Sequence, residues 1–182
     1  MASVIKKLRI DHANMSRLLD ELETQIGLFH AGENADYVLM MDIMQYMSHY
    51  PDLFHHPRED LIFGKLVERD PSTRLVVNEL LHKHEVLADS GKQFIDSLQT
   101  VLSEALVERE ALEAQGRNYV KTLRRHINIE ESQVFPLAER VLDENDWHDI
   151  ENAMDAMEDP LFGSTVHREY LALYDYIRHQ SE

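Results

Sequence analysis

The sequence predicts an all-α protein: an up-down-up-down four-helix bundle with additional helices at its C-terminal end. Three observations carry this. Apolar residues recur at helical spacing almost throughout, alternating strand patterns are absent, and breakers cluster between long uninterrupted stretches. In the first arm Ile5, Leu8, Met15, Leu18, Leu19, Leu22 and Ile26 form one stripe with charge between them. Gly32-Glu33-Asn34 closes that arm, and later breaks fall at Asp70-Pro71-Ser72, around Ser103, and at Asp159-Pro160 with Gly163. The arms are expected over about 3–31, 35–69, 72–101 and 104–142, followed by helices over about 146–158 and 165–180. Pro51 and Pro57 lie inside the second arm, where a missing N–H and a ring clash predict a kink or a local rewinding. Asp146-Trp147 is expected to open the fifth helix. Residues 1–142 would thus form the bundle and residues 143–182 a helical extension. The stripe Val166, Tyr170, Leu173, Tyr174 and Ile177 must bury against one end of the bundle or in a homodimer contact.

Composition removes several functional classes. The 182 residues carry 34 acidic against 18 basic side chains, a formal charge of −16, which disfavours nucleic acid and acidic membrane surfaces as partners. The length suits one domain with a substantial core. With no cysteine, disulfides, thiolate zinc sites, iron–sulfur clusters and cysteine nucleophiles are excluded. Any metal must be held by nitrogen and oxygen. Lys6, Lys7 and Arg9 precede no apolar signal core, and the longest apolar stretch, from Tyr37 to Met47, is broken by Asp42 and Gln45, so a cytoplasmic location is expected. Eleven histidines are the unusual figure.

Those histidines repeat. His55 and Glu59 in the second arm, and His126 and Glu130 in the fourth, each form His-x-x-x-Glu, which places an imidazole and a carboxylate on one helix face. A shift of 71 residues that superposes them also aligns Asp60 with Glu131, Leu66 with Leu137, Glu68 with Glu139 and Arg69 with Arg140. His12 and His84 stand 72 residues apart in the first and third arms. In antiparallel hairpins, residues equidistant from a turn share a height. The midpoints between His12 and His55, His55 and His84, and His84 and His126 fall in Gly32-Glu33-Asn34, beside Asp70-Pro71, and just past Ser103. An up-down-up-down bundle therefore brings four histidines and two glutamates into one layer with a pseudo-two-fold. Such a layer is a costly core unless a metal compensates it. Two carboxylates facing one another between two imidazole pairs suit two bridged ions. The thiolate-free donor set points to iron or manganese over zinc or copper, with zinc still possible.

These residues resemble the hemerythrin-like HHE cation-binding family. The resemblance rests on Asp11-His12, on His55-His56-Pro57-Arg58-Glu59-Asp60 followed by Leu61-Ile62-Phe63, on Lys83-His84-Glu85, and on His126-Ile127-Asn128-Ile129-Glu130-Glu131 followed by Val134-Phe135-Pro136. It covers residue 1 to about 142. It implies a non-haem di-iron centre in which His12, His55, His84 and His126 are terminal ligands and Glu59 and Glu130 bridge. It further implies binding of dioxygen, nitric oxide or iron itself. Oxygen-carrying members take a fifth histidine from a His-x-x-x-His pair on the third helix. Here the positions four away from His84 are Leu80 and Ala88, and His82 points to another face. One coordination position is therefore left open, or is filled by water or by a group from elsewhere.

The remaining candidates divide between site and packing. His56 and Asp60 form a competing pair on the second arm, but His55 and Glu59 are favoured because only they align with the fourth arm. His49 and His167 are expected at the surface, with ligation as the alternative, and His30, His148 and His179 in solvent. Tyr119, seven residues before His126, is expected to line a small-molecule pocket or to pack in the core. Met44 and Met47 fit packing, and Ala88 and Gly91 either leave room for a diatomic ligand or allow close helix approach. The favoured function is a di-iron binding protein for sensing, storage or delivery. Its rivals are an enzyme on the same centre, an oxidase, peroxidase or iron-cluster repair factor, and a metal-free interaction protein using its C-terminal stripe.

Overall fold

The computed structural model describes residues 3–154 and 158–180, and contains no strand among them. The first arm is α1 (Ser3–Ala31), closed by Gly32 in the left-handed region at φ 78°. Asp36 then caps α2 (Tyr37–Tyr50) by accepting from the Leu39 N–H at 2.9 Å. The second arm does not simply kink at its prolines. It widens into a π turn over Pro51–His55, in which the His56 N–H donates to the Pro51 carbonyl five residues back, and resumes as α3 (His56–Arg69). Pro57 donates nothing to the preceding turn, which frees that turn to widen.

The third arm enters through a short 3-10 turn, Pro71–Thr73, capped by Asp70, and continues as α4 (Arg74–Leu102). The fourth begins later than its spacing suggests, as α5 (Arg109–Ile129), because Ser103 to Glu108 form the connection. It too carries a π turn, Glu130–Val134, before α6 (Phe135–Val141), and again a proline, Pro136, follows at once. In α7 (Glu144–Ala153) the cap is Asp143, and Asp146 completes a capping box from inside the first turn, so the helix opens earlier than Asp146. The helix ends at Ala153, with Met154 extended, earlier than the end expected near residue 158; residues 155–157 lie outside the described ones. A 3-10 turn, Arg168–Tyr170, leads into α8 (Leu171–His179). Thr165 to His167 remain outside that helix, with the His167 N–H bonded to the Pro160 carbonyl at 2.8 Å.

α1 packs on α2 and α5, and α4 packs on the same two, so the arms close a ring in chain order. The apolar interior falls into two clusters. One holds Met15 to Phe29 of α1 with most of α2, Leu87, Phe94, Leu98 and Leu112 to Ile127. The other holds Val4, Ile5 and Leu8 with Ile62, Phe63, Leu66, Val77, Leu80, Val134 and Phe135. Between them lie buried polar groups at the level of His12, His55, His84 and His126. The C-terminal segment packs on the bundle: Ile150 joins the second cluster, and Leu161, Tyr170 and Leu173 join the first. Buried Asp159 anchors it, accepting from the Tyr46 hydroxyl at 2.8 Å and from the Leu161 and Phe162 N–H groups. No helix of the described residues is long and apolar enough to cross a membrane.

Glu104 holds φ 57° where α4 ends, a left-handed conformation that costs a residue with a side chain about 1–2 kcal/mol and costs glycine little. Glu104→Gly is expected to raise the unfolding free energy by about 1 kcal/mol in urea titration; an unchanged or lower midpoint would contradict this account of the turn.

Candidate metal centre

The polar layer is built by four arms that each aim a side chain inward. α1 supplies His12, the second arm His55, His56 and Glu59, α4 His84, and α5 with its π turn His126 and Glu130; all are buried, and both glutamates are fully so. His12 Nε2 lies 3.3 Å from Glu59 Oε1 and 3.4 Å from Glu130 Oε2. His55 Nε2 is 3.2 Å from Glu59 Oε1, and His126 Nε2 is 2.9 Å from Glu130 Oε1. His84 Nε2 reaches Glu59 Oε2 at 3.5 Å and Glu130 Oε1 at 3.8 Å. The six residues singled out by the repeat thus come together.

The far nitrogens of four of these rings are held as firmly, while His126 Nδ1 is buried with no hydrogen-bond partner among the described residues. Glu131 meets His12 Nδ1 at 2.8 Å, Asp11 meets His55 Nδ1 at 3.1 Å, Asp52 meets His56 Nδ1 at 3.2 Å and Asp60 meets His84 Nδ1 at 3.0 Å. A carboxylate on Nδ1 fixes the ring and leaves Nε2 as the donor toward the interior. Asp11 is itself fixed by the Tyr50 hydroxyl at 3.2 Å, which accepts from Arg58 at 3.1 Å. Sequence reasoning gave none of these carboxylates a supporting role, naming Asp60 only as a partner for His56, although a signal was present. Asp60 and Glu131 each follow a glutamate of the repeat by one residue. Each reaches across to the histidine of the other half, Asp60 to His84 and Glu131 to His12.

His56 is the larger revision. Alignment with the fourth arm set it aside in favour of His55, yet both rings are buried in the layer. The π turn inserts an extra residue per turn, so two consecutive positions border the interior where a regular helix admits one. Asp60, its proposed partner, serves His84 instead.

Both oxygens of Glu59, both oxygens of Glu130, and His55 Nε2 are buried with no hydrogen-bond partner among the described residues. Such atoms are expensive to orphan in an apolar interior, and a cation between them removes the cost. Two groups can hold one: His12, His55 and Glu59, and His56, Glu59, His84 and His126, whose donor atoms in each group lie within 4.8 Å of one another. They share Glu59. The all-nitrogen-and-oxygen donor set fits a non-haem transition metal. A family model for the hemerythrin HHE cation-binding domain matches residues 3–138.

The chain belongs to the hemerythrin HHE family.

No curated protein matches it. In this hemerythrin-like chain the other candidates stand apart from the donor groups. His49 is exposed and edges onto Phe54, His82 is exposed beside Glu85, and His30, His148, His167 and His179 are exposed. Tyr119, Met44 and Met47 lie in the first apolar cluster. A Cβ on Gly91 would meet Ser48 Oγ at 3.0 Å and the Tyr119 ring at 3.2 Å, so this glycine serves close helix approach.

Without an ion, the layer balances its charges with protons. Burial alone would lower the imidazoles, but the bond to Asp60 and the nearby carboxylates of Glu130 and Glu59 outweigh it and raise His84 to about 11. The same competition puts His12 well above, and His55 above, the ordinary 6.5. Burial and the charge of Glu59 push Glu130 up, yet His126 and His12 draw it down to about 2; burial likewise opposes, and His55 and His12 overcome, a shift that leaves Glu59 well below 4.5. The raised histidines stabilise the metal-free fold fully below 6.5 and lose that contribution as pH rises toward about 11. The lowered glutamates contribute above 4.5 and lose it as pH falls toward about 2. Metal binding displaces the imidazole protons, so it strengthens over the range in which the metal-free fold weakens. Thermal unfolding in chelator is therefore expected to give a midpoint that falls from about pH 6.5 to about pH 9, with metal-dependent stabilisation growing over the same interval. A chelated protein whose midpoint rises across that interval would contradict this charge balance.

Proposed function

We propose that the protein is a non-haem di-iron protein that binds dioxygen, nitric oxide or labile iron for sensing, storage or delivery. The observation that carries this reading is the set of four unpartnered carboxylate oxygens, those of Glu59 and Glu130, buried between two groups of imidazoles. One ion leaves part of that set uncompensated. Two ions bridged by the carboxylates use all of it. In this reading His12 and His55 would hold one ion and His84 and His126 the other, with Glu59 and Glu130 shared between them.

The bound pair supplies a redox-active Lewis-acid centre. The chain's own residues do the rest. Glu131, Asp11 and Asp60 orient His12, His55 and His84, and Arg9 steadies Glu131 at 3.0 Å. The apolar clusters on either side exclude water, which suits a small neutral diatomic ligand better than an ionic substrate. Tyr119 of α5, with Met44 and Met47 of α2, belongs to the apolar cluster on one side of the layer.

Metal analysis of protein purified without added metal is expected to give about two irons per chain, with a ferric absorption in air that bleaches on reduction and changes when nitric oxide is added. Glu59→Ala, which removes the carboxylate common to both donor groups, is expected to lose both ions. Zinc alone, one ion, or no metal in the wild-type protein would overturn the di-iron reading.

A further inference from the structure

We propose that His56 is a fifth imidazole donor, so that the centre is asymmetric: His56, His84 and His126 share one ion position with Glu59, and His12 and His55 share the other with the same carboxylate. This rests on the metal-centre reading above and deepens it, because the repeat in the sequence supplies only two imidazoles to each ion.

Four observations place His56 there. Its ring is buried, only 5% exposed, in a layer where every other imidazole serves Glu59 or Glu130. A donor atom of His56 lies within 4.8 Å of donors on Glu59, His84 and His126. Its ring stacks on His84 with centroids 4.1 Å apart and planes 13° from parallel, and meets His126 edge-on at 5.8 Å. Asp52, one turn back in the π turn, engages its Nδ1 at 3.2 Å. That is the support given to His12, His55 and His84 by their own carboxylates, and it leaves the other ring nitrogen free to donate. A histidine that only filled space would not need such an anchor.

The pseudo-two-fold has no second copy of this residue. The 71-residue shift places Ile127 opposite His56, and Ile127 packs in the apolar cluster. The third helix offers Leu80 and Ala88 where a second histidine would sit, so the additional imidazole comes from the second arm. Its means of entry is the π turn before Pro57. The two ion positions therefore differ by one nitrogen donor, and the three-imidazole position fills first and holds its ion longer.

The test is titration of chelator-stripped protein with Co(II), following calorimetry and the visible ligand-field absorption, in wild type, His56→Ala and His56→Phe. The phenylalanine keeps a ring against His84 and guards against a fold lost through the smaller residue. Wild type is expected to take two ions in two resolved steps. In both variants the tighter step should weaken at least about tenfold with a changed absorption, since losing even an outer partner of a ligand costs about 10- to 100-fold. The weaker step should be unchanged, and imidazole added to His56→Ala should restore the tighter one. Wild-type affinities and absorption in either folded variant would overturn the assignment, as would weaker binding with an unaltered absorption. Failure of the wild type to take two ions would instead overturn the dinuclear reading.

Discussion

Two carboxylates, Glu59 and Glu130, stand fully buried in one layer of an apolar bundle, and the rest of the structure accommodates that pair. Each disfavours ionisation of the other, and burial disfavours both. They remain ionised because imidazoles surround them within about hydrogen-bonding distance, of which His12, His55 and His84 are held toward the protonated form in the metal-free protein and give up their protons to a bound metal. The hydrophobic clusters above and below tolerate this layer only because its charge is neutralised locally. The same requirement makes the layer a place for cations, since both oxygens of each carboxylate are buried with no hydrogen-bond partner among the described residues.

Anchoring carboxylates extend that constraint outward. Glu131, Asp11, Asp52 and Asp60 form a second ring whose members come from different arms than the histidines they hold, except for Asp52, which serves its own turn. Crossed support of this kind ties the arms together at the layer, so ligand geometry and bundle packing are set by the same contacts. From Asp11 the chain of contacts continues through Tyr50 to Arg58, and Tyr50 stacks on Tyr46, whose hydroxyl donates to Asp159. The C-terminal segment is thereby seated against the same arm that delivers His55, His56 and Glu59.

Departures from ideal helix geometry fall where the site needs them. Both π turns adjoin residues of the layer, one ending at His55 and the other beginning at Glu130, and each is followed within two residues by a proline. A wide turn changes the phase of the residues beyond it, which is how the second arm presents two neighbouring rings to one interior. The internal repeat is consequently approximate at the centre itself, although the arms and anchoring residues Asp60 and Glu131 keep it.

The sequence by itself determined the helical arms, their turns and the six residues of the repeat, because helix periodicity and equal heights across antiparallel hairpins depend only on spacing. It also contained the crossed pairs of Asp60 and Glu131, as an alignment whose use could not be read without the partner helix. Only the tertiary structure decided that His56 joins His55 in the interior, that Asp143 and not Asp146 caps α7, and that Thr165 to His167 stay out of α8. In each case spacing gives direction along a regular helix, whereas a π turn resets that direction, and caps and cross-arm contacts are chosen by which groups meet in space.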